Sequence, residues 1–261
     1  MTARLLVKTL LASGVLLLAV ATWQKEALPP QQILNPALLQ EPEQVQVKKA
    51  TFDTTVNGVT YTIHPLYTYH LYGMVVSMHD SKTWWDYLHR EWNDHLNVMD
   101  LCVLWGNNLR SDNYKEIDYS SGQFTCNYNP KSMEAYQAFD AAALSNNHLL
   151  TDKPDIARTI RSVRIGDQVR FRGYLAEYAH NHDGQPFKRG TSIVRTDTGN
   201  GACETIYIED FEILKRGGGP WRKLVWLAAF MLVAGVIAWF RLPIGAGVRT
   251  ALDPEKFRNR K

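Results

Sequence analysis

Cysteine is scarce, with three in 261 residues and no Cys-x-x-Cys pair. That excludes a disulfide-stapled scaffold, a zinc ribbon and c-type haem attachment. No His-Glu-x-x-His occurs, so the helix of a zinc protease is absent. No Asn-x-Ser/Thr triplet occurs either, which excludes N-glycosylation. No internal repeat is visible. The net charge of +3 is too small to imply nucleic acid as a partner. The mean hydropathy is slightly negative, so this is not a polytopic membrane protein.

What apolar length there is lies at the two ends. Thr9 to Gln24 carries no charge, and Lys8 interrupts a longer stretch beginning at Leu5. Leu5 to Trp23 is long enough to span a bilayer, with Lys8 snorkelling to the surface. The basic start and the small triplet Ala19-Val20-Ala21 also fit a cleavable signal peptide, so residues 1–24 read as an anchor or a signal. The second run, Leu224 to Phe240, is bracketed by Arg222, Lys223 and Arg241 and has Trp221, Trp226 and Trp239 near its ends. Such aromatic borders are those of a transmembrane helix, expected over 221–241 after a Gly-rich linker at 215–220. Both short tails are basic, and basic tails stay in the cytoplasm. The expectation is a bacterial inner-membrane protein with its middle domain in the periplasm and a basic cytoplasmic tail at 242–261.

Residues 25–50, rich in Pro and Gln, read as an extended linker. Residues 51–214 then form one α+β domain, β-rich, mixed or antiparallel and barrel-like. Strands are expected at Tyr67 to Met78, Leu101 to Trp105 and Gln168 to Tyr178, where Val169, Phe171, Gly173 and Leu175 alternate with polar residues. Helices are expected from Lys82 to Leu96, with Trp85, Leu88, Trp92 and Leu96 on one stripe, from Pro130 to Leu144 after an Asn129 cap, and from Asp155 to Val163. A hairpin is expected between Thr191–Thr196 and Ala202–Leu214.

The segment Val163-x-x-Gly166-Asp167-x-Val169-x-x-x-Gly173-x-Leu175 resembles a strand of a small OB-type barrel, with Gly173 at a sharp bend. The layout as a whole resembles a family of uncharacterised bacterial inner-membrane proteins, a resemblance that brings no activity with it.

Candidate chemistry is sparse. Asp197-Thr198-Gly199 is the aspartic-protease tripeptide, but polar residues precede it and no second copy exists; a hairpin loop accounts for it. Cys203 is a candidate thiolate nucleophile with His148 or His182 as base, against a buried small residue starting a strand. Cys102 and Cys126 suit a disulfide outside the cytoplasm, leaving Cys203 over, with a free core Cys102 as the alternative. His180, His182 and Asp183, or His89 with His95, are conceivable metal ligands without any established spacing, and no metal or other cofactor is expected. Arg158, Arg161, Arg164, Arg170, Arg172, Lys188, Arg189 and Arg195 cluster in sequence, and Arg170 with Arg172 share one strand face. That face either binds an anionic partner or keeps an edge strand soluble.

The resulting expectation is a membrane-anchored periplasmic binding or assembly module of an envelope complex. Its partners would be the membrane and other membrane or periplasmic proteins. One rival is an envelope hydrolase using Cys203, Asp197 and a histidine. The other is a binder of anionic lipid or cell-wall polymer through Arg170 and Arg172, with Arg161, Arg164 and Arg195.

Overall fold

The computed structural model describes residues 3–199 and 202–242. The basic tail after Leu242, and Asn200 and Gly201 of the expected hairpin loop, lie outside the described residues. In chain order the first elements are α1 (Ala3–Gln24), β1 (Glu43–Gln46), β2 (Phe52–Val56), β3 (Val59–Asp80), α2 (Leu88–Glu91), β4 (Asn97–Leu104), β5 (Ile117–Gly122) and β6 (Thr125–Pro130). Then follow α3 (Met133–Gln137), β7 (Leu144–Leu150), α4 (Pro154–Arg161), β8 (Gln168–His182), β9 (Gln185–Arg189), β10 (Cys203–Lys215) and α5 (Trp221–Arg241). The chain divides into two units, residues 26–219 and the terminal segments 3–25 with 220–242.

In the terminal unit α1 and α5 are both long and apolar enough to cross a membrane. Their buried residues recur every seven positions, Val7, Gly14 and Ala21 on α1 and Ala228 and Gly235 on α5. A seven-residue repeat of small residues lets two helices approach closely along one seam. At Gly235 the approach is so close that a Cβ would lie 2.6 Å from Leu11 Cδ2.

In the larger unit the main sheet is mixed and closes on itself. The bonded path runs β3–β4–β7–β10–β8 and returns to β3, antiparallel throughout except for the parallel pair β7–β10. β1 and β2 add to β3, and β9 adds to β8. Each ring strand gives one face to a common core that includes Leu71 and Val75, Leu101 and Val103, Leu149, Phe171 and Leu175, and Ile206 and Ile208. Gly173 is required where β8 passes β10, because a Cβ there would meet the Tyr207 carbonyl oxygen at 2.0 Å. α4 lies between β7 and β8 in sequence, and β5 and β6 form a separate hairpin.

Four expectations are corrected. Only Leu88–Glu91 of the expected helix from Lys82 to Leu96 is helical. Asp80, Asp86 and Asp94 each accept a nearby backbone N–H, from Lys82, His89 and Asn97, and Asn93 turns left-handed at φ 51°. Such local bonds compete with the helix and break it into turns. The buried side chains there are Asp86, His89, Asp94 and Leu96, while Trp85 and Trp92 of the supposed stripe face solvent.

The expected helix from Pro130 to Leu144 shrinks to α3, because Asn129 and Pro130 pair with β5 and Ser132 supplies the cap. The expected strand Thr191–Thr196 does not form: from Ile206 onward β10 is bonded to β8, and beside Cys203–Thr205 the 191–196 segment makes a single backbone hydrogen bond, Ser192 N–H to the Cys203 carbonyl. The hairpin is instead β8–β9, turning at Asp183-Gly184 with both residues at positive φ. Finally, residues 26–50 are no free linker. Leu38 is fully buried against Met74 and Tyr114, Asn35 N–H donates to Gln168 Oε1 at 2.7 Å, and β1 pairs with β3.

Candidate active site

The face of the ring opposite the core is polar where β3, β4, β7 and β10 run side by side. Residues paired across strands share a face. One row is therefore Ser77, Cys102, Asn146 and Cys203, and the next is His79, Asp100, His148 and Thr205. The β5–β6 hairpin lies over both rows. Ser121 hydrogen-bonds Ser77 at 2.7 Å, and a disulfide joins Cys126 to Cys102.

At the centre is a histidine between a carboxylate and a thiol. His148 Nδ1 is 2.7 Å from Asp100 Oδ1, both side chains are buried, and the imidazole lines the same cleft as the Cys203 side chain. Burial works against the His148 cation, but the adjacent Asp100 carboxylate overrides it and holds the imidazole up at about 9. Burial likewise opposes the Asp100 anion, and His148 with Asn97 holds the carboxyl down at about 2. The pair is thus an imidazolium–carboxylate ion pair at neutral pH. Cys203 is a free thiol and half-buried, and the Asn146 amide nitrogen lies 3.8 Å from its Sγ.

Asp100 is itself fixed. Asn97 Nδ2 donates to its Oδ1 at 2.9 Å and Phe124 N–H to its Oδ2 at 3.0 Å. Phe124 adopts φ 62°, unusual for a bulky residue, and its ring packs on His89 and Trp92. Held there, the ring borders a cleft of about 420 Å³ with His148, Arg189, Ser192, Cys203 and Thr205. A second cleft, of about 510 Å³, opens on the other side of Cys203 and Phe124 and reaches Asp197.

Beyond Asn97 lies a candidate metal set: His79 Nε2, Asp86 Oδ2 and His89 Nδ1 fall within 4.8 Å of one another, all buried. Both imidazoles approach the same carboxylate oxygen at 2.6 Å. Asn97 decides what sits between them. Its Nδ2 faces the Asp100 carboxylate and also lies 3.0 Å from His89 Nε2. A nitrogen donating to both makes His89 Nε2 an acceptor, so the His89 proton is on Nδ1 and points at Asp86. That tautomer fits a proton-filled network and does not fit a cation bound at Nδ1.

Of the sequence candidates, Cys203 and His148 come together, but the carboxylate on His148 is Asp100 and not Asp197. Asp197 accepts a hydrogen bond from Ser192 Oγ at the cleft edge. His182 stands at the β8–β9 turn beside Asp183, and His180 Nε2 bonds the Trp92 carbonyl at 2.8 Å, so His180, His182 and Asp183 do not form a metal site. His95 is outside the buried set that His89 joins. Cys102 and Cys126 are bonded to each other.

The basic cluster is largely interleaved with acids. Arg170 lies 2.7 Å from Asp210 and 3.0 Å from Glu212, Arg172 3.7 Å from Asp210, Arg161 3.7 Å from Asp80, and Lys188 2.9 Å from Glu177. Arg164 bonds backbone carbonyls of Arg161 and Val163. Arg195 points toward Tyr69 and Trp105, 2.6 Å from buried Glu204, whose carboxyl is pushed up by burial, against the pull of Arg195, to about 7. Asp100 and Arg189 are the residues of this candidate site that sequence reasoning missed or left in a crowd. The available signal for Asp100 was a lone carboxylate inside the apolar run of β4.

Comparison with protein-family models, with curated proteins and with solved structures finds no match to this chain.

Proposed function

We propose that this protein is a thiol-dependent acyl-transfer or hydrolytic enzyme, carried on a membrane-anchored OB-type barrel that faces the periplasm. The observation that carries the chemistry is the His148–Asp100 pair sharing one cleft with Cys203. In this reading the Cys203 thiolate attacks an acyl carbon, and the Asn146 amide supports the oxygen that becomes negative. The bond to the leaving group breaks, and the His148 imidazolium gives that group its proton. Neutral His148 then takes a proton from water, whose hydroxide attacks the thioester carbon; the C–S bond breaks, the acid leaves, and the Cys203 thiolate and His148 imidazolium are restored. Asp100 holds the imidazole by Nδ1 throughout.

The barrel reading rests on strand order. With β3, β4, β7, β8 and β10 as strands one to five, the ring runs 1-2-3-5-4-1, is parallel only between three and five, and has a helix between three and four. That is the layout of an OB-type barrel, whose ligand face is on strands two and three. Asp100 and His148 lie on those two strands. The outward orientation is supported by the basic short tails, Arg4 and Lys8 at one end and Arg249, Lys256, Arg258, Arg260 and Lys261 at the other.

The test of the chemistry is Cys203 acylation by p-nitrophenyl acetate. A thioester at Cys203 that is lost in His148→Gln supports it; absence of any acyl adduct in the wild type overturns it. Orientation is tested with a membrane-impermeant maleimide on spheroplasts. Labelling of Cys203 only after lysis would overturn the periplasmic placement.

A second reading, a binding or assembly module, is favoured by the turn-rich segment between β3 and β4. There Trp84 is 85% exposed, Tyr87 61% and Trp85 45%. Aromatic side chains so presented are typical anchors for a partner. Gentle purification of wild type and Trp84→Ala/Tyr87→Ala protein tests it: a co-purifying protein lost only from the variant supports assembly. Binding of anionic lipid through Arg170 and Arg172 has weaker support, because Asp210 and Glu212 already occupy those charges.

A further inference from the structure

Arg189 is the last residue of β9, and it reaches the cleft that Cys203 and His148 share. Its guanidinium carbon lies 3.5 Å from the centroid of the Phe124 ring, so the cation sits over an aromatic face. Nη1 is buried and has no hydrogen-bond partner. Among the described residues Arg189 makes no ion pair, and no carboxylate lines that cleft.

The neighbouring acids have partners of their own. Asp100 is committed to His148 at 2.7 Å. Asp94, whose field reaches Arg189, accepts from Tyr178 at 2.6 Å and is pushed by burial toward its neutral form. A buried, unpaired guanidinium donor is costly unless something accepts from it. Planar bidentate donors match an oxyanion such as a carboxylate or a phosphate.

We propose that Arg189 is the oxyanion-binding residue of this cleft, holding a carboxylate or phosphate group of the ligand whose reacting carbon meets Cys203. The inference rests on the thiol reading for what happens at Cys203, but the anion site stands on Arg189 alone. The substrate class it selects is an acyl compound with an anionic group a few bonds from the scissile bond.

The experiment compares alkylation of Cys203 in the full-length detergent-solubilised protein by iodoacetate, which is anionic, and iodoacetamide, which is neutral. Dividing each rate by that of a free thiol removes intrinsic reagent differences. The wild type is expected to prefer iodoacetate, and Arg189→Met to lose on the order of tenfold of that preference while its iodoacetamide rate holds. Arg189→Lys keeps the charge and retains part of the preference, so it decides the matter if the Met variant does not fold.

No charge preference in the wild type, or one that survives in both variants, overturns the proposal. If iodoacetamide reacts no faster than with a free thiol, the thiol reading fails by itself. The anion site is then judged by calorimetry on Cys203→Ser protein with inorganic phosphate and with succinate. Heat that disappears on adding Arg189→Met supports the site, and the anion that gives it names the chemistry. No heat from either anion, or equal heat with and without Arg189, overturns it.

Discussion

Replacing Asp100 by Asn removes the charge that keeps His148 protonated inside the protein. His148 lies at about 9 against an ordinary 6.5, and Asp100 at about 2 against an ordinary 3.8. These are one interaction seen from its two ends, worth about 2–3 kcal/mol at about 1.4 kcal/mol per tenfold in proton affinity. The folded-state value of His148 is raised, so its contribution is full below about pH 6.5 and is lost as pH rises through about 9. Asp100 is depressed, so its contribution holds above about pH 4 and is lost as pH falls through about 2. Wild-type stability in urea should therefore decline by about 2–3 kcal/mol between roughly pH 6.5 and 9 from this pair. Asp100→Asn should be less stable at about pH 6 by a similar amount and should lack that decline. In the variant burial acts alone, and the His148 ring should titrate below its ordinary value by NMR. A His148 that still titrates near 9 in Asp100→Asn, or two stability profiles that stay parallel between pH 6.5 and 9, would refute the reasoning.

Glu204, held up at about 7 by burial, should make wild-type stability fall between about pH 4.5 and 7 by about 3 kcal/mol, and Glu204→Gln should flatten that window in pH-dependent melts. Leu38→Ala should cost about 2–4 kcal/mol in urea titration, as for a core residue, whereas a free linker would give no change. Gly235→Leu should push the Leu11 side chain away and cost about 1–3 kcal/mol of α1–α5 packing, read from detergent denaturation of the intact chain.

The apolar ends were legible from sequence because a long uncharged run has few alternatives: α1 and α5 match it closely. β8 was legible because alternation with period two survives where one face is buried and the other solvated, and α4 because Pro154 and Asp155 mark its start. The segment between β3 and β4 was misread because its aromatic residues at helical spacing imitate a core stripe. Three aspartates there bond the backbone locally, and that competition shows only when partner and distance are known.

The sequence by itself determined which residue types were available for chemistry, three cysteines, a His148 and an Arg-rich stretch. It could not bring them together, since β4, β7 and β10 become neighbours only when the ring closes and parallel pairing aligns Cys203 with Asn146 and Thr205 with His148. Tertiary structure likewise chose Asp100 over Asp197 and set Arg189 over the Phe124 ring without an ion pair among the described residues. The physical reason is range: hydropathy and periodicity act over a few residues, whereas the polarity of a buried face depends on partners scores of residues away.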